Sequence, residues 1–196
     1  MGGSDCEVLG GGWLAQPTNA WSSLAFAVAA LVVSVRAGRT GARPARGVPL
    51  RLHRWGGTAA SGLVAVGSFA YHGPQPSWAG GVHDGSIAML LAVVVAALVS
   101  WIWRSSAQAD RGDAVLLAVA AAAVVLGGVA WALGHTDGPL CAPSSWFQWH
   151  AVWHVLAAVA AASALLATAG APGRQVALGR RRMRASPAAS EREQPA

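Results

Sequence analysis

Apolar runs of helix-spanning length recur five times along this chain, at about 21–35, 57–71, 85–103, 114–133 and 147–169. Each approaches the ~20 residues that a helix needs to cross a bilayer core. The first two are short, so their ends must take in flanking residues. A bilayer offers backbone amides no water, and runs of Ala, Val, Leu and Gly must therefore close their hydrogen bonds within helices. The strict alternation of a membrane β-barrel strand is absent. Composition agrees, because 11% of the residues are charged and 54% hydrophobic, where a soluble domain has roughly 25% charged. The expected fold is all-α: a polytopic transmembrane helical bundle of about five spans over residues 1–170, then a disordered basic tail, 171–196, too polar to bury a core.

All fourteen basic residues behind the net charge of +6 are arginine. In a soluble chain that excess would suggest nucleic acid, but where the charges lie is more informative than their sum. Arg36, Arg39, Arg43, Arg46, Arg51 and Arg54 separate the first and second runs, Arg104 and Arg111 separate the third and fourth, and the remainder follow the fifth. Cytoplasmic loops collect positive charge, so one orientation suits every loop: N-terminus out, C-terminus in. No nucleic-acid partner is expected. The cluster Arg180, Arg181, Arg182 and Arg184 is expected to rest on anionic lipid head groups. Trp55, Trp101 and Trp103 fall at the inner boundary, and Trp13, Trp21, Trp78, Trp131, Trp146 and Trp149 at or near the outer one, as in an interfacial aromatic belt. Residues 1–12 lack the basic start of a cleavable signal peptide, so the first run reads as a retained anchor. Arginine-only basic usage with abundant alanine suggests a bacterium with GC-rich DNA, and hence a bacterial plasma membrane.

Ionisable residues at membrane depth are costly and mark function. Here they gather at one side. The second run ends Gly67-Ser68-Phe69-Ala70-Tyr71-His72, the third opens His83-Asp84-Gly85-Ser86, and the fifth opens Gln148-Trp149-His150-Ala151-Val152-Trp153-His154. The second run heads outward and the other two inward, which brings all three segments to the outer leaflet. His150 and His154 stand one helical turn apart, the spacing at which two imidazoles grip one ion, and Ser68 and His72 repeat it. Three histidines leave a fourth zinc position open, with Asp84 as a nearby carboxylate. His53, His135, Asp5, Glu7 and Asp137 read as solvated juxtamembrane or loop residues, and His83 as an exposed loop position, with a supporting partner of the site as its alternative. Cys6 and Cys141 both fall outside, where a disulfide can form; the alternative is two unrelated small apolar side chains.

The segments Cys6-Glu7, Ala15-Gln16-Pro17-Thr18-Asn19-Ala20-Trp21-Ser22-Ser23-Leu24, Gly67 to His72, Asp84-Gly85-Ser86 and Phe147 to His154 together resemble the CREST superfamily of membrane hydrolases, and within it the alkaline ceramidase family. The resemblance implies a zinc-dependent amide hydrolase in which His72, His150 and His154 bind Zn2+ and Asp84 and Ser68 lie close to the catalytic water. It also implies a Cys6–Cys141 disulfide, and a ceramide or other N-acyl lipid amide as substrate. Members of the family typically have seven spans, and this chain has room for five. Animal members also carry a Ca2+ site built from several acids, of which only Glu7 stands in register, with Ser4 and Gln16 where acids are expected. A haemolysin-III or adipoQ-receptor-like protein shares the serine, aspartate and histidine elements. A non-catalytic metal-binding membrane protein would use the same histidines.

Overall fold

The computed structural model describes residues 5–39, 50–105 and 111–168, and every regular element among them is a helix. In chain order these are α1 (Pro17–Ser22), α2 (Ala25–Arg39), α3 (Leu50–His72), α4 (Ala79–Ser105), α5 (Arg111–Gly134) and α6 (Trp149–Thr168). Four stretches are long and apolar enough to cross a membrane: Pro17–Arg36, which joins α1 to α2, then Ala79–Ile102, Gly112–Gly134 and Trp149–Thr168. The second expected span, α3, is not among the four although it has 23 residues. Gly56, Gly57, Thr58, Ser61, Gly62, Gly67 and Ser68 dilute its apolar content. The expected loop over 37–54 is also shorter than its composition suggests, because α2 continues to Arg39 and α3 already begins at Leu50. The arginine-rich stretch 40–49 and the tail from 169, with Arg180, Arg181, Arg182 and Arg184, lie outside the described residues.

Helices α3 and α6 form the centre. The first packs on α1, α2, α4 and α6, and the second touches all the others, while α5 packs principally on α6. Between them lies a core made largely of alanine: Phe26, Ala29, Ala60, Val64, Ala65, Leu90, Ala158 and Ala161, continued by Val33, Ala97 and Leu165. Small side chains let backbones approach closely, which is how membrane helices gain packing energy when burial from water is not available. Gly67 shows the limit: a Cβ there would stand 3.0 Å from the backbone of Val82 and His83, so α4 enters directly against the end of α3. Gly134 has the same role at the other side, where a Cβ would run into Trp149 at the start of α6. Leu31, Val66, Leu91, Val125 and Leu126 face outward from the bundle. That suits helices whose solvent is hydrocarbon.

The first span is broken near its start. Ser23 and Leu24 interrupt the helix between α1 and α2, and the hydroxyls of Ser22 and Ser23 both donate to the Asn19 carbonyl at 2.9 Å. Such local bonds compete with the regular helical ladder. The break aims both seryl oxygens at α6, where they meet His154.

Candidate metal centre

The segment before α1 has no regular structure, yet it is fastened at both ends. Cys6 and Cys141 form a disulfide with a Cα–Cα separation of 5.5 Å. Beside it Cys6 N donates to Thr136 Oγ1 at 3.2 Å, and Val8 N donates to the Pro143 carbonyl at 3.1 Å. Further along, Ala15 N and Gln16 N donate to the carbonyls of Gly73 and His72, at 3.0 and 2.8 Å, tying the segment to the end of α3. Glu7 turns inward and accepts Thr18 N on Oε1 at 2.8 Å and Asn19 N on Oε2 at 2.9 Å. It thereby caps α1, whose first residue, Pro17, has no N–H that needs an acceptor.

Three buried histidines meet beneath this segment. His72 closes α3 with no exposure, and His150 and His154 occupy the first turns of α6 at 7% and 3%. One ring nitrogen from each lies within 4.8 Å of the others, a spacing that could hold a metal ion. Their ring centroids are 5.0, 5.1 and 4.5 Å apart.

The hydrogen bonds decide which nitrogens face the common centre. Gln16 Nε2 donates to the Glu7 carbonyl at 2.8 Å, so Gln16 Oε1 is left to accept from His72 Nδ1 at 2.7 Å. Ser22 Oγ donates to Asn19 O and so accepts from His154 Nδ1 at 2.8 Å. Asp5 Oδ1 lies 3.5 Å from His150 Nδ1. All three Nδ1 atoms thus face oxygens outside the cluster, which leaves each Nε2 with a lone pair. His72 Nε2 and His150 Nε2 are buried without any hydrogen-bond partner. An unsatisfied buried polar atom costs about 1–3 kcal/mol, and a metal ion would satisfy both at once. Outer oxygens that hold the far nitrogen of each imidazole are the usual support of a metal site. Imidazole donors suit zinc, copper, iron or nickel.

Ser68, one turn before His72 and 1% exposed, joins the cluster: its Oγ lies 3.4 Å from His154 Nε2 and 2.8 Å from Ser23 Oγ. Asp84 does not. Its side chain is 83% exposed and its Oδ1 meets His83 Nδ1 at 2.8 Å. The residue between it and the cluster is His83, for which the sequence left an exposed loop position and a supporting partner of the site open. It is partly buried on α4, stacked on Tyr71 at 4.5 Å and edge-on to His72 at 5.8 Å, which favours the second. Asp5, read as solvated, is 5% exposed against His72 and His150. His135 stays apart, bonded through Nδ1 to the Ala132 carbonyl and stacked on Trp131. Glu7 offers a calcium ion little, since both carboxylate oxygens already accept backbone amides.

Gln16, Ser22 and Ser23 belong to the motif quoted above, and only the structure gives them these tasks. The signal available in the sequence was their polarity at the mouth of an apolar run. Compared with models of known protein families, with curated proteins and with solved structures, the chain matches none.

Proposed function

We propose that this chain is a zinc-dependent integral-membrane hydrolase that cleaves the amide bond of ceramide or a related N-acyl lipid, releasing a fatty acid and a lipid amine. The observation that carries the reading is the set of three buried imidazoles with outward-held Nδ1 atoms, two orphaned Nε2 atoms and a serine hydroxyl at the same point. Zinc held by His72, His150 and His154 would supply a Lewis acid for the scissile carbonyl and make water a nucleophile near neutral pH.

The chain's own groups then divide the work. Ser68 Oγ can turn its hydrogen from Ser23 Oγ toward the oxyanion that develops on the attacked carbonyl. Asp84 lies outside the cluster, bonded to His83; as the assigned proton carrier its side chain would turn from His83 toward the attacking water, take the released proton and return it to the leaving amine. Five crossings follow if α3 is counted as a span, and the arginine distribution sets the N-terminus outside a bacterial plasma membrane with the site at the outer leaflet. A lipid amide would enter from the bilayer, and the C-terminal arginines would rest on anionic head groups. Calcium has no part in the proposal.

The test is metal analysis of the purified protein together with hydrolysis of a broad panel of N-acyl lipids. Zinc near one equivalent, lost in the triple change of His72, His150 and His154 to Ala together with lipid cleavage, is the expected result. A wild type that holds zinc and cleaves nothing across the panel would transfer the chain to the receptor-like or metal-binding reading.

A further inference from the structure

We infer that Asp5 is a positioning residue of the metal centre, holding His150 through Nδ1 and supplying the negative charge that a buried dication needs beside it. The inference rests on the metal-binding part of the proposed function and not on hydrolysis. His72 and His154 are held by neutral oxygens, from Gln16 and Ser22. His150 faces a carboxylate. Asp5 Oδ1 lies 3.5 Å from His150 Nδ1 and Oδ2 lies 3.8 Å from His72 Nδ1, so a single anion straddles two of the three imidazoles. It is 5% exposed, which removes water as a competitor for that charge.

The chemistry needs such a group. Three neutral imidazoles leave the full double charge of a zinc ion uncompensated in a low-dielectric site, and burying a charge without a partner is expensive. A carboxylate on the far nitrogen of one imidazole offsets it, fixes the tautomer with Nε2 turned inward, and makes that nitrogen a stronger donor. His150 Nε2 is the buried, partnerless atom that such an arrangement would aim at the metal.

The chain also fixes Asp5 in place with unusual care. The next residue, Cys6, adopts φ 65 and is bonded to Cys141. Glu7 N closes the turn on the Asp5 carbonyl at 2.8 Å, and the Glu7 carboxylate then anchors α1. A left-handed non-glycine backbone persists where surrounding bonds over-determine it. Here the disulfide on one side and the capping carboxylate on the other do so, and the residue they deliver to the histidines is Asp5.

The experiment compares wild type with Asp5→Ala, Asp5→Asn and Asp5→Glu in detergent, by chelator competition for zinc and by the visible absorption of the cobalt(II)-substituted protein. Far-ultraviolet circular dichroism and the mass of the intact disulfide establish that each variant is folded. Asp5→Ala should bind zinc about 10–100-fold more weakly, the usual cost of losing an outer partner of a ligating histidine. Asp5→Asn should lose less and move the cobalt bands, and Asp5→Glu should recover part of the affinity. A merely structural role would lower thermal stability and leave the cobalt spectrum and the zinc affinity of the folded protein where they were; that result overturns the inference. So does a wild type that binds neither metal, which removes the centre itself. Weakened zinc binding in Asp5→Ala and Asp5→Asn, in a protein that cleaves no lipid amide, upholds Asp5 and removes the hydrolase alone.

Discussion

At His154 the two ring nitrogens meet different hydroxyls, Ser22 on Nδ1 and Ser68 on Nε2, and this difference separates support from chemistry. His150→Ala should lower zinc content and lipid cleavage together, because a three-ligand site loses a direct bond. Asp84→Asn should keep zinc and lose roughly 10²–10⁴-fold in turnover, the usual contribution of a general acid–base group. Measuring both quantities on both variants separates a ligand from a proton carrier, and full turnover in Asp84→Asn would remove its assigned role. Ser68→Ala should lose less, because the metal would still polarise the carbonyl. The histidines could be read from the sequence because helical periodicity and span direction alone bring them to one depth. Asp5 could not, since its burial depends on a disulfide partner 135 residues away and on a left-handed turn at Cys6. For His83 the sequence left an exposed loop position and a supporting partner of the site both open, and the close approach of α4 to Gly67 is what brings its ring against His72.

Among the elements, α1 is the shortest and the most dependent on a single side chain. Six residues cannot form a stable helix alone, and Glu7 satisfies two of its first backbone donors while placing negative charge at its positive end. Glu7→Ala should lower stability by about 1–2 kcal/mol, seen as a lower thermal midpoint at unchanged disulfide content. Added calcium should not restore it. A calcium-dependent rise in wild type that disappears in Glu7→Ala would instead return this residue to the ion-binding role that the family pattern suggests. Helix positions were largely evident from apolar runs, but helix ends were not. Residues 50–54 carry Arg51, His53 and Arg54 and read as loop, yet they belong to α3, in keeping with the good helix propensity of arginine and leucine.

For the molecule as a whole, the disulfide closes a loop around α1 to α5, and the arginine distribution predicts an orientation for every helix. Removing the disulfide in a Cys6→Ser, Cys141→Ser pair should destabilise the fold by up to about 4–5 kcal/mol in the chain-entropy model, and it should lower metal retention as well, because Asp5 adjoins the bond. Thermal unfolding with and without reductant, followed by metal analysis, reads both effects; equal zinc retention in the reduced protein would uncouple them. Single cysteines introduced near Arg43 and Arg182 should label from the cytoplasmic side, and those near Ser77 and Asp137 from outside. External labelling at Arg182 would reverse the orientation and place the histidines on the opposite face.

The fastening of residues 5–23 onto the last helix has a consequence for how the protein is made. A ribosome delivers the Asp5, Gln16 and Ser22 side of the centre first, whereas His150 and His154 emerge only after α5 has been synthesised, more than a hundred residues later. Partial chains can bury apolar surface helix by helix as they enter the bilayer, but no truncated chain ending before α6 owns more than one of the three imidazoles. A metal held by all three would therefore have to wait for α6, and Cys141, the disulfide partner of Cys6, emerges from synthesis just before that helix.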